Sequence, residues 1–238
     1  MRRWATFAAA AALASWALCG VAAAGFVYDS QTDWEADGVQ PDAGVWSYQW
    51  AVAADLDGDY TDCAYWTGSQ WQGRVTGTTD PYPFITQTGN HPTWRVVAGD
   101  PNTASQDVGA IRTFDTPVGG LWHLTGYFED TNANCGNGVL VGIFADEPTG
   151  DDTALLPFTH IQRLTSTPDD GVPDRIDYDL MVTLDVGQRL FFRTQSNSAS
   201  SCDGTGERHH LEFIPEPTSL TLVGLGLLAL ARRRRRRA

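Results

Sequence analysis

The chain has 238 residues, with 29 acidic against 16 basic side chains and a formal net charge of −13. Every basic residue is an arginine, and eight of them lie in the two end segments, where Glu216 is the only acid, so residues 25–215 keep 8 arginines against 28 acids, a net of −20. Such a surface repels nucleic acid and anionic membranes, which excludes a nucleic-acid partner and favours a soluble, exported protein.

Arg2 and Arg3 precede an Ala-rich apolar stretch over residues 4–18, and Ala22-Ala23-Ala24 gives a small-x-small pattern before Gly25. This reads as a secretory signal peptide, residues 1–24, handled by the Sec machinery and cut by signal peptidase. Cys19 does not read as a lipid anchor, because Trp16-Ala17-Leu18 makes a poor lipobox. Cys63, Cys135 and Cys202 remain in the mature chain, and oxidising surroundings predict one bridge and one odd thiol.

Residues 25–213 predict one all-β domain, a single antiparallel β-sandwich. Its N-terminal half is irregular and aromatic, with Trp34, Trp46, Trp50, Trp66, Trp71 and Trp94 among Gly, Thr, Asp and Gln. That pattern predicts long loops with one or two helical turns laid over the sandwich. The second half alternates more cleanly. Strands are expected around residues 110–114, 121–128, 139–144, 160–164, 176–184, 189–193 and 210–214, separated by Gly, Pro, Asn and Asp turns. Simple up-and-down alternation gathers the loops at 129–137, 166–175 and 196–207 at one end. Cys135 and Cys202 fall in two of these loops, so a Cys135–Cys202 bridge with Cys63 free is the preferred pairing.

Asp55, Asp57 and Asp59 lie in the densest acidic run. Alternating aspartates suit a hard cation, but Gly58 comes too early for the glycine of an EF-hand and Trp66 stands where its glutamate belongs. A looser structural calcium loop and a plain solvated turn both fit. Asp169, Asp170 and Asp174 form a second calcium candidate with the same alternative, since turns favour Asp and Gly for backbone reasons. No other cofactor is indicated. Trp66, Trp71 and Trp94 sit among polar residues and are the candidate sugar-stacking platforms, because indoles offer broad apolar faces with one donor at the edge; burial in the core is the alternative fate for each of them. Five scattered histidines and few glutamates give no nucleophile elbow, zinc helix or defined carboxylate pair, so no catalytic residue is assigned and the chain reads as a non-enzyme.

Residues 214–238 have a different character. Pro215-Glu216-Pro217 precedes an apolar run over residues 218–231, which ends in Arg232, Arg233, Arg234, Arg235, Arg236 and Arg237. At 1.5 Å per residue the apolar run reaches about 21 Å, short for a bilayer span of ~20 residues. Six guanidiniums fix the tail in water beside anionic head groups. This segment resembles the PEP-CTERM sorting signal of Gram-negative bacteria that make extracellular polysaccharide. The resemblance implies recognition by an exosortase, transient inner-membrane anchoring through the C-terminal helix, and delivery to the cell surface, outer membrane or extracellular matrix.

The mature region is also similar to a loose group of secreted proteins carrying that tag, with jelly-roll, carbohydrate-binding-like domains. The similarity rests on Val27-Tyr28-Asp29-Ser30, Gly89-Asn90-His91-Pro92, Ile111-Arg112-Thr113-Phe114 with the turn after it, and Leu184 through Phe192. Three functions follow as expectations: a non-catalytic surface or matrix protein binding exopolysaccharide through exposed tryptophans, a purely structural envelope or biofilm component, and, last, a polysaccharide hydrolase.

Overall fold

The computed structural model describes residues 25–52, 60–73, 83–96, 105–132, 137–147, 150–163, 172–197 and 204–215. Fifteen strands follow one another along these segments, and no helix occurs among the described residues. They are β1 (Val27–Asp29), β2 (Trp46–Val52), β3 (Thr61–Asp62), β4 (Tyr65–Trp66), β5 (Gln70–Gln72), β6 (Phe84–Thr86), β7 (Gly89–His91) and β8 (Thr93–Val96). The longer ones are β9 (Ser105–Asp115), β10 (Gly120–Asp130), β11 (Val139–Glu147), β12 (Gly150–Ile161), β13 (Arg175–Leu184), β14 (Arg189–Ser196) and β15 (Thr205–Ile214).

They form two antiparallel sheets. One runs β13-β10-β15-β7-β6-β5-β4, with β1 beside β15; the other runs β12-β11-β14-β9-β2-β3, with β8 beside β9. Alternation drives the stacking: along β10, Trp122, Leu124 and Phe128 turn inward, while β9 sends Ala110, Arg112 and Phe114 to the same interior. Trp46 and Tyr48 of β2, Val141 and Ile143 of β11, Leu190 and Phe192 of β14, and Leu211 of β15 complete the layer. β14 is buried on both faces, because Phe191 is covered from outside by Phe144, Phe158 and Tyr60.

The expected two-sheet antiparallel sandwich is present. Two details differ. The aromatic N-terminal half is strand-built: β4 to β7 extend the first sheet beyond β15, and β2, β3 and β8 extend the second. These strands are two to seven residues long, mostly too short for a period of two to show in the sequence. β12 begins at Gly150, well before the expected strand at residue 160. It is an edge strand, paired to β11 through three register shifts and carrying Pro157, features an edge tolerates.

The sandwich has two distinct poles. At one, Asp130 N–H donates to Asp174 O, Thr131 N–H to Gly204 O and Gln162 N–H to Pro173 O, drawing together the flanks of the three loops expected at one end. At the other, the turns at residues 116–119 and 185–188 are tied by Thr116 N–H to Gln188 O and Gly187 N–H to Thr116 O. Chain ends leave from this second pole. Phe213 N–H donates to Phe26 O, and Leu121 pairs with Ile214.

Candidate functional site

The aromatic tier comes first, because the sugar-stacking candidates fall there. Trp71 is only 5% exposed and stacks at 6.2 Å on Tyr48, itself bonded to buried Asp42 at 2.5 Å. Trp66 is half-buried, with ring centroids 5.2 Å from Trp71 and 5.8 Å from Trp34. Gly38, at φ 77°, lies so close that a Cβ there would meet Trp66 Cδ1 at 2.6 Å. Of its two fates, Trp71 takes burial: these rings fill the wedge between β2 and the short strands, where their burial replaces a core the short strands cannot otherwise provide. Trp94 lies on β8, and its side chain is outside the described residues. Tyr65, 42% exposed, is the open aromatic at this edge.

A cleft of about 270 Å³ opens on the outer side of the second sheet, lined by Gln40, Pro41, Ser47, Asp62 and Asp115. Asp62 Oδ1 accepts from Gln49 Nε2 at 2.8 Å, and Gln49 Oε1 accepts from Thr113 Oγ1 at 2.7 Å. Partial burial raises the Asp115 carboxyl above its ordinary range, against the pull of Arg189. The cleft presents carboxylate, amide and hydroxyl groups suited to hydrogen-bonding neutral polar molecules. Period-two alternation on β2 and β9 puts Ser47, Gln49, Thr113 and Asp115 on one face, a pattern present in the sequence but missed there.

The calcium candidates Asp55, Asp57, Asp59, Asp169 and Asp170 lie outside the described residues, as do Cys135 and Cys202. Asp174 is exposed at the start of β13 and contributes only its carbonyl, to Asp130 N–H. Among the described residues no group of three or more His, Cys, Asp or Glu side chains is arranged to hold a metal. Asp130, which the sequence reading passed over, organises this pole: its carboxylate accepts from Asn132 N–H at 2.9 Å and Arg163 N–H at 3.0 Å. Cys63 is a free, buried thiol whose pKa burial pushes far up.

The most heavily bonded polar cluster is sealed between the sheets. Arg112 of β9 donates through Nε to Glu207 Oε1 at 3.1 Å, and through its Nη atoms to Ser30 O at 3.0 Å and Thr86 O at 2.8 Å. Glu207 Oε2 accepts from Asn90 Nδ2 at 2.8 Å. Burial alone would raise the Glu207 carboxyl, but the guanidinium overrides it and holds the group at about 2. His209 stacks on Phe192 at 4.0 Å, and burial lowers its pKa. Its Nε2 lies 3.2 Å from Glu207 Oε2 but points off-line for a hydrogen bond. A neutral imidazole protonated on Nε2 suits both neighbours, with Tyr178 O–H donating to Nδ1 at 2.7 Å. With Arg112, Glu207 and His209 all fully buried, no substrate reaches this cluster, and its chemistry is structural.

The sandwich is similar to several solved domains at low identity. The K1 cleaved adhesin domain of Lys-gingipain from Porphyromonas gingivalis W83 is 13% identical, over 81% of this chain and 99% of its own, with a TM-score of 0.33. A family 35 carbohydrate binding module from Clostridium thermocellum is 10% identical over 60% of this chain and 87% of its own, with a TM-score of 0.28. The enzymatically active domain of bacteriophage CBA120 tailspike protein 4 is 13% identical over 77% of this chain, at a TM-score of 0.33, and this chain spans 20% of it. No curated protein matches the chain. Residues 213–236, starting inside β15, match the PEP-CTERM protein-sorting motif, so the chain ends in the signal that directs exported proteins to exosortase and the cell surface.

Proposed function

We propose that this protein is a non-catalytic structural domain of the cell surface or extracellular matrix, exported with a cleavable leader and released to its destination by exosortase at Pro215-Glu216-Pro217. The observation that carries the structural reading is the packing of the tryptophans. Trp46 is 1% exposed, Trp71 5% and Trp122 0%, while Trp34, Trp50 and Trp66 lie against the same core. Indoles committed to the interior do not form a stacking platform for a glycan. The arrangement instead rigidifies a sandwich that must persist outside the cell. Fractionation of the producing bacterium tests it: the processed protein is expected in the surface or matrix fraction, without saturable retention on the cell's own polysaccharide, with or without calcium. Cytosolic intact protein would refute the reading.

A second reading, exopolysaccharide binding, draws on the polar cleft and on Tyr65 beside half-buried Trp66. It predicts saturable polysaccharide retention that Asp62→Asn or Tyr65→Ala weakens. Hydrolysis stands behind both.

A further inference from the structure

Both ends of the folded domain leave from one pole, and the apolar tail begins very close to it. β1 lies antiparallel on β15 with Val27 opposite Glu212 and Asp29 opposite His210, so Gly25 and Pro215 are neighbours in space. Ile214 is still paired to Leu121 in the sheet, and the apolar run starts at residue 218. Four residues span at most about 14 Å when fully extended. While the tail is inserted, the pole bearing the turns at residues 116–119 and 185–188 therefore stays within that reach of the bilayer. An uncut leader would hold the same pole from the other side.

The surface there matches this placement. Phe26 is 49% exposed, Val27 52% and Val186 71%, three of the six exposed large hydrophobics among the described residues. Phe26 and Val186 are joined along this pole: Gly119 lies close to the backbone of Val186, Gly120 lies against the Phe213 ring, and that ring meets Phe26 edge-on at 6.2 Å, while Val27 sits beside them on the opposite face of β1. Asp185 borders the patch, which sets contact at head-group level and not in the hydrocarbon. At the opposite pole the described loop flanks expose Pro173, Asp174 and Arg163.

From these observations, resting on the sorting reading above, we infer that the pole carrying Phe26, Val27 and Val186 is a membrane-apposed surface, whose partner is the lipid bilayer. The loop pole organised by Asp130 then faces outward, about 33 Å away along the ten steps of β10. Any linkage made at the Pro-Glu-Pro end keeps this orientation, because that end emerges at the same pole.

The test uses the full chain, tail included, in phospholipid vesicles containing a radiolabelled lipid. The photoreactive residue p-benzoylphenylalanine is introduced at Val186, an exposed turn position, or at Pro173 on the far pole. Severalfold more lipid label at position 186 than at 173 supports the inference. Equal labelling, or more at 173, in protein that resists carbonate extraction overturns it and leaves the sorting reading standing. Protein that carbonate removes from the vesicles overturns both.

Discussion

Replacing Glu207 by Gln removes one charge from the sealed cluster with almost no change of shape. The wild-type carboxyl sits at about 2 against an ordinary 4.5, which corresponds to roughly 3 kcal/mol favouring the charged form in the fold. Breaking a buried pair by removing one partner costs about 3–5 kcal/mol, in agreement. Two local effects shape the result. The new amide can still accept from Arg112 Nε, but its NH₂ faces Asn90 Nδ2, so two donors meet. Asn90 Oδ1 has no partner, and an amide flip there recovers some of the loss. The expected net cost at pH 7 is about 3 kcal/mol, read from urea unfolding of the processed protein by tryptophan fluorescence. The pH dependence has a definite sign. A depressed carboxyl pKa contributes fully above 4.5 and is lost as pH falls towards 2, so the gap between wild type and variant should shrink to roughly 1 kcal/mol at pH 3. His209, whose folded pKa burial holds below 6.5, adds a loss on acidification that begins below that value; because Glu207 raises that pKa, the loss is larger in the variant and offsets part of the narrowing. Pairing Arg112→Met with Glu207→Leu should recover about 1–3 kcal/mol over the sum of the single changes. A cost under about 1 kcal/mol at pH 7, or a gap that does not narrow in acid, would show that the ion pair does not hold the sheets together.

Trp71→Ala should cost about 3–5 kcal/mol in the same urea experiment, because it empties a ring-sized volume beside Tyr48. Gly38→Ala should also destabilise, since its φ of 77° disfavours a side chain and its Cβ would strike Trp66; unchanged stability would refute that contact. Cys63 should react with maleimide only on unfolding, and a non-reducing peptide map should find it unbridged; rapid labelling of the native protein would contradict its burial. A short Gly-Ser linker inserted between Ile214 and Pro215 should speed exosortase processing, because the cut site of the natural chain adjoins a hydrogen-bonded strand; unchanged processing would show that the tail is cut before the sheet closes.

Most of the long strands were legible because their alternation runs for eight residues or more; β12 is the exception, its pairing broken by three register shifts. Trp122, Leu124 and Phe128 point one way, and no competing period fits. The N-terminal half hid its strands in segments of two to seven residues, where Gly and Pro punctuation outweighs any period. Trp66 and Trp71 read as loop aromatics for the same reason, surrounded by polar neighbours, but β4 and β5 pair across them, with Trp71 packed on Tyr48 and Trp66 on Trp71 and Trp34. The sealed cluster did leave a signal. Arg112 shares parity with Ala110 and Phe114, and Glu207 and His209 share parity with Leu211, so charges stood at inward positions of two core strands. A charge there is costly unless a partner arrives from the facing sheet, and the two strands could have been matched on that requirement alone.

The absence of lysine acquires a physical meaning from the two fully buried arginines. Arg112 and Arg193 sit on neighbouring strands, β9 and β14, and leave the sheet on opposite faces. Arg112 reaches three acceptors on the other sheet and lies 5.4 Å from the Tyr48 ring and 5.8 Å from that of Trp34. Arg193 donates to Tyr60 Oη at 2.9 Å, within 5.0 to 5.7 Å of the Tyr60, Phe158 and Phe144 rings, and Tyr60 in turn donates to Asp152 at 2.7 Å. A planar, weakly hydrated guanidinium can spread several hydrogen bonds around an aromatic contact, whereas a lysine ammonium is a compact, strongly hydrated point charge. Across residues 25–215, with 28 acids and eight arginines, burying two of the cations this way ties both faces of the second sheet to their covers and leaves the outer surface still more negative. Such a surface disfavours anionic head groups, and in the orientation proposed above only the apolar pole meets them.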